Sequence, residues 1–270
     1  MSSEFERINK NNFDAKKIAH HIISWLDNYC SKAGTKGFII GISGGVDSAL
    51  TSTLCAMTGR KTVLVSMPIR QTKAEYSRAM NHISDLKKRF DNVESFDIDL
   101  TKTFSVFEEK MPFDIEEHHL AMANSRARLR MTTLYAIGQA GDCLVAGTGN
   151  KVEDFGVGFY TKYGDGGVDI SPIADLMKTE VWKLSEEVGV INEIIVAKPT
   201  DGLWEDGRSD EDQIGASYPE LEWAMEFTEA SHSTLHLSIR QKEVLNIYQK
   251  FNRANQHKMN PIPVCKIEFK

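Results

Sequence analysis

Ser43-Gly44-Gly45-Val46-Asp47-Ser48 brings two glycines, two hydroxyls and one carboxylate into a single short stretch, a combination suited to gripping phosphate. The glycines let backbone amides approach an anion without a Cβ in the way, and the serines add hydroxyl donors. A helix starting there would add the positive end of its dipole. The aspartate needs a different partner, because a carboxylate beside polyphosphate is repelled unless a divalent cation lies between them. Asp47 is therefore a candidate Mg²⁺ ligand; the plainer alternative is that Asp47 and Ser48 only cap the helix. No Gly-Lys-Ser or Gly-Lys-Thr follows at Walker spacing and no G-x-G-x-x-G occurs, which excludes those two nucleotide loops.

The elements around this turn are those that would present it. Gly37-Phe-Ile-Ile-Gly-Ile42 is a short apolar run, as expected of a strand buried on both faces of a parallel sheet, and residues 47–58 read as the helix that follows. Lys61–Ser66 reads as a second buried strand. Thr72-Lys-Ala-Glu75 forms a capping-box pattern that starts a helix towards Phe90, and Val93–Ile98 reads as a third strand. A helical pattern from about His118 to Gln139 leads into a fourth strand, Cys143–Ala146, followed by a glycine- and aromatic-rich stretch, Gly147–Gly167. Met177–Val188 reads as a helix stopped by Gly189.

Asn11–Tyr29 has helical apolar spacing and packs on the domain, and Ser238-Ile-Arg-Gln241 caps a final helix through Phe251, with Pro261 and Pro263 blocking continuation. The alternation of strands and helices predicts an α/β fold, a doubly wound parallel sheet flanked by helices. Leu203–Gln213, polar and acidic, reads either as a closing lid or as a solvated loop.

The composition sets limits on partners. The 270 residues are 41% hydrophobic and 26% charged, with a formal charge of -6. That balance disfavours a nucleic-acid footprint, and no apolar stretch approaches the roughly 18 residues of a membrane span. The polar amino terminus carries no secretory pattern, so a cytoplasmic location is expected. Cys30, Cys55, Cys143 and Cys265 lie far apart and form no C-x-x-C pair, which predicts buried thiols, not a zinc or dithiol site.

The Ser-Gly-Gly-x-Asp-Ser turn after a buried strand resembles the pyrophosphate loop of the N-type ATP pyrophosphatases, whose fold is adenine nucleotide alpha hydrolase-like and Rossmann-like. Downstream, Gly147-Thr-Gly-Asn-Lys-Val-Glu153 and Gly158–Asp169 resemble the ammonia-dependent NAD synthetases. So do Pro172–Lys178, Lys198-Pro-Thr200 and His257-Lys258, whereas Thr72–His118 is the least similar stretch. The resemblance implies amidation of deamido-NAD by ammonia with ATP, through an acyl adenylate, giving NAD, AMP and pyrophosphate as the last step of NAD biosynthesis.

It further implies that Gly41, Ile42 and Ser43–Ser48 (Ser43, Gly44, Gly45, Val46, Asp47, Ser48), with Thr148, Lys178 and Thr200, contact ATP. Asp47 and Glu153 would bind Mg²⁺, and Asp47 and Lys178 would serve the chemistry. Arg128, Lys162, Asp169, His257 and Lys258 would contact deamido-NAD. Taken alone, Glu153 reads as a surface carboxylate, Arg126, Arg128 and Arg130 as a solvated helix face, and His257-Lys258 as a basic tail. Phe159, Tyr160 and Tyr163 serve equally as stacking or packing residues. A homodimer is implied, and residues 1–270 read as a single synthetase domain without a glutaminase domain. Two other readings stay open: a different adenylating amidotransferase or thiolase, and a nonenzymatic ATP-binding protein.

Overall fold

The two longest apolar runs become the central strands of one parallel sheet. In this computed structural model, which describes residues 5, 13–200, 209–230 and 236–267, β1 (Gly37–Gly41), β2 (Lys61–Ser66), β3 (Val93–Asp97) and β4 (Cys143–Val145) lie in the order β3-β2-β1-β4. All pairings are parallel, with Gly37 beside both Lys61 and Cys143. β1 and β2 are buried almost throughout, which explains why their sequences are continuously apolar instead of alternating. From β1 the chain moves one way to β2 and β3 and then returns to the other side as β4. Strand order reverses there, and the loops leaving the carboxyl ends of β1 and β4 border one crevice.

Helices cover both faces. α1 (Ala15–Ala33), α2 (Val46–Met57), α3 (Lys73–Arg89) and α6 (Lys178–Glu187) build one core around Phe38, Ile40 and Leu64. α4 (Thr101–Glu108) and α5 (His119–Gly141) build another on Ile39, Val63 and Val65. A third cluster joins a π-helical turn, Val152–Val157, to α9 (Tyr218–Glu229) and α10 (Ile239–Met259). Short helices α7 (Asn192–Ile195) and α8 (Asp210–Ile214) link them. Among the described residues no helix is long and apolar enough to cross a membrane.

Several boundaries differ from the sequence pattern for identifiable reasons. The first helix begins after Asp14, whose carboxylate accepts from Lys17 N, and runs past Tyr29 to the left-handed Gly34. α10 continues beyond Phe251 to Asn260, directly before Pro261. Asn252, Asn255 and Lys258 anchor that extension on carbonyls of residues 156–160. Of the expected loop at 203–213, residues 203–208 lie outside the described residues, and the rest is not a solvated loop. Ser209 and Asp212 form a capping box that starts α8, and Asp210 is buried. Cys30, Cys55 and Cys143 are buried thiols as expected, but Cys265 is exposed.

Candidate active site

The glycine turn sits between β1 and α2, where its sequence placed it. Ile42 and Val46 point into the core, so these two can offer a ligand only their backbone. Gly44 has φ +85°, and a Cβ there would stand 2.6 Å from the carbonyl oxygen of Glu75 in the first turn of α3. The glycine is thus required twice, for its left-handed backbone and for helix contact. The two hydroxyls brace the turn: Ser43 Oγ lies 3.1 Å from Ser48 Oγ and accepts from Gly45 N at 3.2 Å, while Ser48 Oγ donates to Gly45 O at 3.0 Å. Gly45 is the N-cap of α2, with Asp47 in the first turn.

Asp47 meets a cation from the far side of the crevice. Lys178, the first residue of α6 and 2% exposed, donates to Asp47 Oδ2 at 2.6 Å and to Glu153 Oε1 at 3.0 Å. Glu153 comes from the π-helical turn that follows the β4 loop, an irregular helix form often found at functional sites. Asn150 ties the Asp47 carboxylate to the Glu153 backbone, donating from Nδ2 to Asp47 Oδ1 at 3.0 Å and accepting from Glu153 N at 3.1 Å.

Burial acts against the lysine charge, yet the two carboxylates hold Lys178 well above the ordinary lysine range. Burial likewise opposes ionisation of Glu153, but Lys178, Tyr218 and Asn150 keep its carboxyl below the usual range. Asp47 is pushed upward by burial, with Lys178 opposing and Glu153 adding to the rise. Next door, burial and the charges of Glu153, Asp165 and Asp47 push Asp154 up to about 8. The site is therefore acidic, desolvated and centred on one ammonium.

The residues expected at a second ligand gather on one loop, 158–163. Lys258 donates to Gly158 O at 2.7 Å and Tyr160 O at 2.9 Å, Arg128 Nε donates to Lys162 O at 3.1 Å, and Lys162 Nζ donates to His257 O at 2.5 Å. Asp169 is engaged separately: it accepts from Val145 N at 2.8 Å and from the Tyr135 hydroxyl at 2.9 Å, closing the end of β4. Thr200 reaches the glycine turn indirectly, donating to Glu75 Oε1 at 3.0 Å. Thr148 is half-buried in the loop after β4, two residues before Asn150.

A family model for NAD synthase matches residues 18–262. The chain belongs to the NAD synthase family. It is 36% identical over 260 residues to the NH₃-dependent NAD⁺ synthetase of Methanosarcina acetivorans, covering 93% of this chain and 98% of that one. The NMN synthetase from Francisella tularensis superposes with a TM-score of 0.82 at 29% identity, covering 95% of this chain and all of the other. The NH₃-dependent NAD synthetase from Campylobacter jejuni, solved with nitrate, superposes at 0.77 with 23% identity and shares the fold.

Three polar residues of this NAD synthase crevice escape the sequence reading. Asn150 links the Asp47 carboxylate to the Glu153 backbone, Arg78 donates from Nε to Gly44 O at 3.3 Å, and the Tyr218 hydroxyl donates to Glu153 Oε1 at 2.5 Å. Asn150 lies within the Gly147–Glu153 segment, so its signal is present in the sequence. Arg78 and Tyr218 lie on helices far from any glycine turn, and only the fold brings them in. Arg130, by contrast, is a structural arginine: it donates to Met67 O and Gln71 Oε1, and burial lowers it to about 10.

Proposed function

We propose that the chain amidates deamido-NAD with ammonia, using ATP and releasing NAD, AMP and pyrophosphate. Family membership makes it an ammonia-dependent ligase of NAD biosynthesis. The observation that carries the reading is the meeting of Asp47 and Glu153 on Lys178 beside a glycine turn at a helix N-terminus. Gly41–Ser48, Thr148, Lys178 and Thr200 are assigned to ATP. Arg128, Lys162, Asp169, His257 and Lys258 are assigned to deamido-NAD.

The donor set suits Mg²⁺. That ion is commonly held by one or two carboxylates, with substrate phosphates and water completing its shell. Among the described residues no group of three or more His, Cys, Asp and Glu gathers to cage a metal alone, so Asp47 and Glu153 would hold it only together with phosphate oxygens. When bound, magnesium would supply charge neutralisation at the phosphates.

The chain's own residues do the rest. The amides of the turn and the amino end of α2 hold the pyrophosphate portion. The substrate carboxylate oxygen attacks the α-phosphorus and pyrophosphate leaves, giving an acyl adenylate. Ammonia then adds to the acyl carbon, its nitrogen gives up one proton, and AMP departs with the oxygen that attacked the phosphorus. Activation is needed because a carboxylate would otherwise have to expel oxide. Lys178, already stripped of water, stabilises the negative charge as pyrophosphate separates. The protein acts in this reading as a cytoplasmic homodimer, which sedimentation at micromolar concentration tests.

A second acceptor is favoured by one observation, the 0.82 superposition on a protein described as an NMN synthetase: the mononucleotide with the same nicotinate carboxylate. Purified protein mixed with ATP, Mg²⁺, ammonium and either deamido-NAD or nicotinic acid mononucleotide decides between them. The expected result is NAD and AMP in equal amounts, faster than NMN. Dominant NMN formation would reassign the acceptor, and neither product would overturn both assignments.

A further inference from the structure

We propose that Tyr218 is a positioning residue for Glu153, holding the carboxylate in place when Lys178 is drawn towards phosphate. This deepens the reading above and rests on the assignment of Asp47 and Glu153 to Mg²⁺. Tyr218 opens α9 and is completely buried. Its hydroxyl donates to Glu153 Oε1 at 2.5 Å, with Asp210 Oδ2 flanking it at 3.3 Å. Its ring lies 4.7 Å from Lys178 Nζ and packs edge-on against Trp182 at 6.0 Å. Its backbone N–H is fixed by Glu211 Oε1 at 2.8 Å, so α8 sets where the ring stands.

The division of labour follows from charge. Lys178 and Tyr218 both donate to Oε1 of Glu153, and neither donates to Oε2. A triphosphate entering the crevice competes for the ammonium, the only one of these two donors that carries charge. Tyr218 stays where packing holds it and keeps the carboxylate from rotating, leaving Oε2 as the oxygen for a cation. Groups that hold a ligating side chain in place typically account for about ten- to a hundredfold in metal affinity.

The test is Mn²⁺ binding in the presence of ATP, followed by the electron paramagnetic resonance of free Mn²⁺, on the full-length parent, Tyr218→Phe, Tyr218→His and Glu153→Gln proteins. Tyr218→Phe keeps the ring under Lys178 and is expected to raise the half-saturating Mn²⁺ concentration about tenfold. Its KM for deamido-NAD should change less than twofold, whereas a merely structural defect would raise both. Tyr218→His, which restores a ring donor, is expected to recover part of the affinity.

Mn²⁺ binding by Tyr218→Phe within twofold of the parent, while Glu153→Gln weakens it, overturns the role of Tyr218 and leaves the metal assignment standing. Unchanged binding by Glu153→Gln removes both. Should Tyr218→Phe not fold, 3-fluorotyrosine incorporated at position 218 answers the same question. Its ¹⁹F resonance is expected to move when Mg²⁺ and ATP are added together, and a resonance that stays fixed overturns the proposal.

Discussion

At Gly44 the backbone and the packing make the same demand. A side chain at φ +85° is strained, and its Cβ would press on the Glu75 carbonyl, a backbone atom that cannot swing aside. Gly44→Ala should cost about 2 kcal/mol of stability and displace the turn from α3, raising KM for ATP at least tenfold. Urea unfolding with an ATP titration checks this, and parental ATP affinity in a folded variant would show that the turn does not hold the nucleotide. The sequence made the glycines legible as a phosphate cradle but could not show the reason at Gly44, which is contact with a helix 30 residues on. Lys178 offers a second test. Replacing it with Met leaves two buried carboxylates without their cation, at a cost of about 3–5 kcal/mol. In the parent the Glu153 carboxyl is depressed, so its stabilising effect is present above its unfolded pKa and lost as pH falls. In Lys178→Met both carboxylates should titrate upward, and a proton can replace the ammonium. The stability gap between the two proteins is therefore expected to be widest near pH 8 and to narrow towards pH 5. A gap independent of pH would mean that the carboxylates are not what Lys178 serves.

Among the elements, β1 and β2 were legible because apolar runs bounded by turn residues allow little else, and α3 because Thr72 and Glu75 cap each other. α4 and α9 were not. α4 buries only Phe104 and exposes Val106 and Phe107, which erases any apolar stripe, while α9 is buried on nearly every side and shows no period. α10 was read too short because its last turns are fastened by polar contacts to residues 156–160, which hydrophobic spacing cannot register. Those contacts predict a function for the helix end. Lys258→Met removes two of the hydrogen bonds that tie loop 158–163 to α10, leaving the one from Lys162 to His257 O. Amide exchange in that loop should accelerate roughly tenfold, with α10 intact and KM rising for deamido-NAD but not for ATP. Equal effects on both substrates would move this loop out of the dinucleotide site.

Across the whole molecule, the α2–α3 layer that carries the glycine turn also carries a buried histidine, and its titration links global stability to pH. His82 is fully buried with Nε2 2.8 Å from Ser52 Oγ, and burial lowers it to about 4. In the unfolded chain the ring titrates near 6.5. The folded pKa is therefore the depressed one, and as pH falls the unfolded state takes up the proton first. Stability owed to the neutral ring is complete above about pH 6.5, drains away between there and pH 4, and changes no further below that. The loss is on the order of 2–3 kcal/mol by pH 4.5. Carboxylates titrate over the same range, so the informative quantity is a difference between proteins. His82→Gln can keep a partner for Ser52 but cannot take up a proton. Urea unfolding at pH 7.5 and pH 4.5 should show the parent losing about 2–3 kcal/mol more than His82→Gln. If the two lose the same amount, the helix layer beneath the phosphate turn does not exclude charge as its burial requires, and the packing that positions Gly44 against α3 would have to be looser than the structure shows.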